Sequence, residues 1–339
     1  MIAGSDTPTF GAFARSLMKT WAKDFRSEPH KRSWTRTFGT DPDSDEKAVI
    51  DPYAGALLDL PIDNITTPDV VEALNKLSDR QETLTRVRAR IERVLDAAKA
   101  LGLRVGDNPA RWTGHLEAIM ARPKVTLAKH HKALPYKEMP AFMRRLQAMG
   151  MIKLNGMANG EIRMRNVTVK SMSALALKFT ILTAARTSEV LLARRDEIDF
   201  EARLWTVPAD RMKSLRIHRV PLCDRALDLL GEAWPFGSRK NGFIFVGRSG
   251  SGHLSSMALA MCLRGLEGGR ATVHGMRSTF RDWAGDETEH AREVAEAALA
   301  HIVGDQSEQA YRRGDALGRR RELMNEWEAC LSSEGRDGA

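Results

Sequence analysis

The chain has 339 residues, 52 Lys and Arg against 44 Asp and Glu, and a net charge of +8. That excess favours a polyanionic partner, nucleic acid or an acidic membrane surface, although charge alone also suits a merely basic soluble protein. Cys223, Cys262 and Cys330 are odd in number and far apart, which excludes a disulfide framework and a zinc-type Cys/His cluster. No apolar run approaches the roughly 20 residues that span a bilayer, and no signal pattern opens the chain, so a cytoplasmic protein without a membrane partner is expected.

The length fits two domains, each with its own core. Phe13, Leu17, Trp21 and Phe25 stand at near-helical spacing and predict a helix over residues 10–25. A polar segment follows and ends in Asp41-Pro42-Asp43-Ser44-Asp45-Glu46, read as a solvated loop. Residues 53–60 are weakly helical. Thr67 with Pro68 marks a helix start, with Thr67 as cap and Pro68 in the first position. A longer helix is predicted over residues 82–101, with Leu84, Val87, Ile91, Val94, Leu95 and Ala98 on one side and Gly102 as the stop. Arg86, Arg88, Arg90 and Arg93 occupy its other faces and are candidates for phosphate contact. A short helix over residues 110–120 comes next. The basic, polar stretch 122–132 reads as an interdomain tether.

The second domain opens near Leu134 with a helix that ends at Gly150. Residues 171–184 are apolar on every side, which predicts a buried helix. Three short strands at 197–200, 204–207 and 217–222 predict a small antiparallel sheet. Helices follow at 224–234, 255–266, 274–285 and 291–300. The Gly/Ser-rich stretch 247–252 lacks a phosphate-loop pattern. A last helix, 315–331, carries Leu317, Leu323, Met324, Trp327, Cys330 and Leu331 in one stripe, for packing on its own domain or on a neighbouring protomer.

Breaking a phosphodiester with a protein nucleophile needs an attacking group, positive charge on the phosphoryl oxygens and an acid for the departing oxygen. No convincing carboxylate cluster for a metal stands out, and no cofactor is implied. A guanidinium can do the electrostatic work, because its planar fork meets two phosphoryl oxygens at once. Arg186 lies where the apolar helix ends, three residues before Glu189, a candidate to hold it in place. His274 and Arg277 share a helical face. Lys213 sits in a turn between strands, from which it could protonate a leaving oxygen. His301 ends a helix, and Tyr311 lies ten positions on, followed by Arg312 and Arg313. Each signal alone is weak. The ordered set Arg, Lys, His-x-x-Arg, His, Tyr is far more specific.

In order and spacing, Arg186, Lys213, His274, Arg277, His301 and Tyr311 resemble the catalytic motif of the tyrosine recombinases, the phage-integrase family. Thr183-Ala184-Ala185-Arg186-Thr187-Ser188-Glu189, Arg211-Met212-Lys213, His218 with Val220-Pro221-Leu222, Leu299-Ala300-His301 and Asn108-Pro109-Ala110-Arg111-Trp112 resemble its prophage and genomic-island branch. The resemblance implies a mainly α protein. A helical, SAM-like core-binding domain (1–127) and a linker (128–133) would precede a mostly helical catalytic domain with a small antiparallel sheet (134–339). It implies a Tyr311 nucleophile that forms a 3′-phosphotyrosine and frees a 5′-hydroxyl. Arg186 and Arg277 would hold the non-bridging oxygens, Lys213 would protonate the leaving oxygen, and His274 and His301 would serve proton transfer and phosphate binding. Four protomers would act on two DNA duplexes at an attachment site, with accessory DNA-bending proteins. Integrases of this branch often carry a further N-terminal domain for arm-type sites, whereas the core-binding likeness here starts near residue 10. Type IB topoisomerase-like relaxation and a non-catalytic DNA-binding protein of the same fold are the alternatives.

Overall fold

The structure, a computed structural model, describes residues 7–22, 25, 28–41, 49, 51–121, 131–149, 151–158, 161–237, 242–247, 252–301 and 315–333, with backbone only at 29, 149, 151–158 and 161–170. The chain divides into two compact units, residues 1–128 and 129–339.

The first unit is helical. α1 (Phe10–Trp21) is capped by the Thr9 hydroxyl, which accepts from the Ala12 amide at 3.3 Å, and buries Phe10, Phe13, Ala14 and Met18. It stops four residues short of Phe25. α2 (Glu28–Phe38) occupies a stretch that reads in sequence as a polar segment. Its apolar signal is thin because only Trp34 and Phe38 anchor it in the core, while the buried Thr35 and Thr37 turn their hydroxyls back to Lys31 O and Ser33 O. α3 (Thr67–Asn75) begins one residue earlier than expected. Thr66 is the cap, its amide and hydroxyl both donating to the Asp69 carboxylate at 2.8 and 2.6 Å. α4 (Gln81–Ala100) buries the six residues its periodicity selects. Gly102, at φ +74°, closes it with paired bonds: Leu103 N to Ala98 O and Gly102 N to Lys99 O. The helix expected at 110–120 is instead a run of turns with one 3₁₀ turn, Leu116–Ala118. Gly114 sits at φ +71° there, and the Asn108 side chain ties the entry to Glu92 O, Asp96 and the Ala110 amide.

The second unit is built around α6 (Met172–Thr183), buried from Ala174 through Thr183. Before it come α5 (Met139–Met149) and an antiparallel hairpin, β1 (Met151–Ala158) with β2 (Glu161–Lys170). The hairpin escapes a period-two reading because its register breaks between Leu154 and Gly156. The alternation in β2 slips accordingly, from Ile162 and Met164 to Val167 and Val169. α7 (Thr187–Leu191) follows, then the expected sheet: β3 (Ile198–Asp199), β4 (Leu204–Val207) and β5 (His218–Pro221), in that order and antiparallel. α8 (Asp224–Ala233), α9 (Ser256–Glu267), α10 (Gly275–Glu287), α11 (Arg292–Ala298) and α12 (Leu317–Ser332) complete the unit. The apolar stripe of α12 packs on its own unit. Leu323, Met324, Trp327 and Leu331 are buried, and the Trp327 indole donates to Ile181 O at 2.9 Å. Among the described residues no helix is long and apolar enough to cross a membrane.

Candidate active site

Three segments of the second unit meet at one place: the exit of α6, the start of α10 and the end of α11. Each is shaped by its own backbone before any side chain is considered. α6 ends on Ala184 at φ +48° and α11 is followed by Ala300 at φ +51°. Left-handed backbone costs an alanine about 1–2 kcal/mol. Here both residues aim their carbonyls at a guanidinium.

Arg277, on the first turn of α10, is 4% exposed. Its Nη1 donates to Ala184 O, and its Nη2 donates to Leu299 O at 2.6 Å. Arg186 caps α7. Its amide and its Nη1 donate to the two oxygens of Glu189, at 2.8 and 2.7 Å, and its Nη2 reaches Ala300 O at 3.3 Å. The two guanidiniums therefore converge on successive carbonyls, Leu299 and Ala300. Glu189 is buried and serves Arg186, as the sequence spacing suggested. Among the described residues Arg277 has no such acid: carbonyls and the His301 ring at 3.4 Å are its partners, and its Nε is buried without one. Burial, with Arg186 next to it, pushes Arg277 down to about 10, against the pull of Glu189 and Glu296. It stays charged at neutral pH. A buried cation bonded chiefly to neutral carbonyls beside a second cation is a place where an anion is stabilised.

His301 is held by backbone. Its amide donates to Glu296 O at 2.9 Å and that of Ala300 to Ala297 O at 3.1 Å, a Schellman closure of α11 with Ala300 in the left-handed position. Its Nδ1 lies 2.6 Å from Glu296 Oε2. A carboxylate only accepts, so Nδ1 carries the hydrogen and Nε2 faces Arg277 as an acceptor. His274 immediately precedes α10 and meets His131 edge-on, ring centroids 4.3 Å apart. Burial, and then the neighbours His131, Arg277, Arg186 and His301, hold it below the usual imidazole range, which keeps it neutral and able to accept a proton at pH 7. Gly275 is demanded by sterics: a Cβ there would stand 1.9 Å from Lys132 O.

Lys213 is exposed on the turn ahead of β5, outside the buried cluster. The turn is anchored by the buried Met212 and by Arg211, which donates to Leu192 O, to Glu189 O at 3.0 Å and to Glu197 at 2.6 Å. Tyr311 lies outside the described residues. Asp315, the first described residue beyond it, pairs with Arg320 and with Arg219 of β5. His218, which opens β5, is buried. Burial, then Arg320, Arg186 and Arg277, outweigh Glu189 and push it down to about 4.

Sequence reasoning missed Glu296 and His131, and it quoted Arg211, Ala184 and Ala300 only as parts of the stretches that carry the resemblance, with no role of their own. A carboxylate five positions before a helix-ending histidine was the one available signal, for Glu296. In the first unit, Arg88 donates to Glu92 and Ala110 O, and Arg90 to Ser33 and Thr37. Arg93 lies over the Trp21 ring at 4.0 Å, and Arg86 is exposed beside Glu82. Arg88 and Arg90 thus spend their donors inside the unit, while Arg86 and Arg93 face solvent.

Comparison with known proteins agrees with this architecture. Residues 10–115 match the phage integrase central domain and residues 153–310 the phage integrase family. The chain is 31% identical over 277 residues to prophage integrase IntA of Escherichia coli K12, covering 80% of this chain and 60% of that one. It is 27% identical over 340 residues to prophage integrase IntS of the same strain, covering 98% and 77%. It spans about three fifths of the length of IntA and of IntZ, a further prophage integrase of that strain. In fold it resembles a lambda integrase dimer bound to a COC′ core site, with a TM-score of 0.57 and 15% identity over 90% of this chain and 95% of that one. A Tn1549 transposon integrase in complex with circular intermediate DNA gives 0.54 and 13% over 90% and 100%. With both halves of the chain matched in order and the convergent arginines and histidines in place, the chain belongs to the phage integrase family of tyrosine recombinases.

Proposed function

We propose that this protein is a site-specific DNA recombinase, an integrase that inserts or excises a mobile element by cutting and rejoining DNA through tyrosine. The observation that carries the reading is the convergence of Arg186 and Arg277 on the carbonyls of Leu299 and Ala300, with His274 and His301 beside them. A phosphodiester seated there would have its non-bridging oxygens between two guanidiniums. Tyr311 Oη would attack phosphorus, the bond from phosphorus to the 5′-oxygen would break, and a 3′-phosphotyrosine would form. The phenol proton passes to His274, which is neutral when it acts. The 5′-oxygen takes a proton from Lys213, whose exposed position suits a group that meets DNA only when the duplex arrives. The reverse sequence with a second 5′-hydroxyl rejoins the strand without ATP, because the phosphotyrosine keeps the bond energy.

The partner is double-stranded DNA carrying a specific core site, and four protomers on two duplexes make the exchange. Lambda integrase has been solved as a tetramer bound to a Holliday junction, which supports that stoichiometry by analogy. In the first unit, the exposed Arg86 and Arg93 are the arginines of α4 proposed to meet phosphates. The domains are proposed as a core-binding region to residue 127 and a catalytic region from 134.

The test is a denaturing gel of protein incubated in EDTA with a nicked suicide duplex from its own element junction. The parent is expected to give a covalent protein–DNA band and Tyr311→Phe none. Equal bands from both would remove Tyr311 as nucleophile. Binding without any band would favour a DNA-binding protein that does no chemistry, and relaxation of supercoils with no sequence preference would favour a topoisomerase.

A further inference from the structure

Glu296 is the buried acid of the cluster that the proposed chemistry leaves unused. It stands at the third-last position of α11, and its carboxylate is divided: Oε1 accepts from Arg281 Nε at 2.6 Å and Oε2 from His301 Nδ1 at 2.6 Å. Arg292 Nε lies 3.9 Å from Oε1. The same residue's carbonyl takes the His301 amide, so main chain and side chain of Glu296 both grip His301. Burial pushes this carboxyl up, but His301 and Arg281 more than offset it and hold it below the usual range. At neutral pH it is an anion.

The other ring nitrogen faces the opposite sign. Nε2 looks at Arg277, with Arg186 bonded to the adjacent carbonyl and His274 close by. Among the described residues the anion of that side is Glu189, and it is taken up by Arg186. Without a phosphate the Arg277 fork donates toward Nε2, and a hydrogen on Nε2 would oppose that N–H. A phosphodiester between them reverses the balance: its oxygens accept, and a hydrogen on Nε2 becomes a third donor to them.

We propose that Glu296 is a positioning residue that lets His301 bind the phosphate as an imidazolium: it fixes the Nδ1–H tautomer and supplies the countercharge when Nε2 takes a proton from solvent on DNA binding. One N–H bond forms at Nε2, with the proton drawn from water, and no bond of the DNA changes in that step. The inference rests on the recombinase reading, and Glu296 acts through His301.

Two readouts on the full chain decide it. The first is single-turnover cleavage of the suicide duplex across pH 6–9 for the parent, Glu296→Gln, His301→Gln and the double variant. Glu296→Gln keeps an acceptor for Nδ1 and the helix closure while removing the charge. Its cleavage is expected to fall by up to about tenfold at pH 8, the limit set by a one-unit loss in the ring's affinity for its second proton. Its alkaline fall-off should move to lower pH by about one unit, and because the proton is taken up on binding, duplex affinity above that fall-off should weaken by up to about tenfold. The double variant should be no slower than His301→Gln. An unchanged pH profile, or losses that multiply in the double variant, would overturn the proposal. The second readout is ¹⁵N NMR of the His301 ring in the parent, without and with saturating inorganic phosphate. It should move from a single Nδ1–H to both nitrogens protonated. A ring carrying its hydrogen on Nε2 alone, or one that never takes the second proton, would overturn the proposal even if no cleavage were observed. Absence of cleavage in the parent with the expected NMR change would count against the recombinase reading alone.

Discussion

Arg104 of the first unit and Arg277 of the second are alike when each is taken by itself. Both are buried, 6% and 4% exposed. Both donate to two backbone carbonyls, Ile62 and Ile65 for Arg104, Ala184 and Leu299 for Arg277. Both leave Nε without a partner, and burial lowers both. The difference lies in the next charge. For Arg104 it is Asp63, which offsets the cost of burial; for Arg277 it is Arg186, which adds to it. A buried arginine answered by an acid is a strut between segments. One crowded by another cation is held ready for an anion that comes from outside.

The sharpest way to break this comparison is substitution at both positions. Arg277→Lys should reduce single-turnover cleavage by about a thousandfold, because lysine cannot reproduce the fork, with little change in melting temperature. Arg104→Met should leave cleavage of the folded protein intact and destabilise the first unit by about 2 kcal/mol, from the unpaired Ile62 and Ile65 carbonyls. If Arg277→Lys instead lost stability and kept activity, the distinction would collapse.

His218 reads the same positive field from the side. It binds a proton in the unfolded chain near 6.5 and in the folded one only near 4. Between those values the unfolded state holds more protons, so stability rises with pH and is lost as pH falls from 6.5 toward 4. The contribution is about 3 kcal/mol over that window. Chemical denaturation of the parent and of His218→Asn at pH 4.5 and 7 should show the dependence flattened in the variant. An equally steep loss in both would place the acid sensitivity elsewhere.

The smallest effect concerns strain. Ala184→Gly removes the left-handed penalty but adds unfolded-state freedom and gives up a buried methyl, so the three nearly cancel and thermal melting should move little. Cleavage should fall nonetheless, since the carbonyl that holds Arg277 becomes less fixed. A gain in both would mean the alanine is not part of how Arg277 is positioned.

What could be read from sequence follows from which interactions are local. The apolar stripes of α4 and α12 and the all-apolar α6 announce themselves because burial repeats with the helix period. Arg186 with Glu189, and His274 with Arg277, are legible because three-residue spacing puts each pair within reach. α2 was hidden because two aromatic anchors suffice for it, and the hairpin because a register break scrambles its alternation. What Glu296, His131 and Arg211 do was hidden for a different reason. Their partners are chosen by tertiary folding, and a carboxylate behind a histidine has the same appearance in sequence as any surface glutamate. The cap at Thr66 rather than Thr67 turned on which threonine met Asp69, a choice of geometry between equal chemistries.

Gly275 has a bearing on how the catalytic region can be cut out for study. The first residue of that region predicted from sequence is Leu134. Yet Lys132 O fills the space over Gly275 and accepts from Thr272, and His131 lies against His274. A fragment trimmed to Leu134 would delete the wall of its own site: a mild handicap by mass, but a solvent-filled gap beside His274, the residue proposed to take the tyrosine proton.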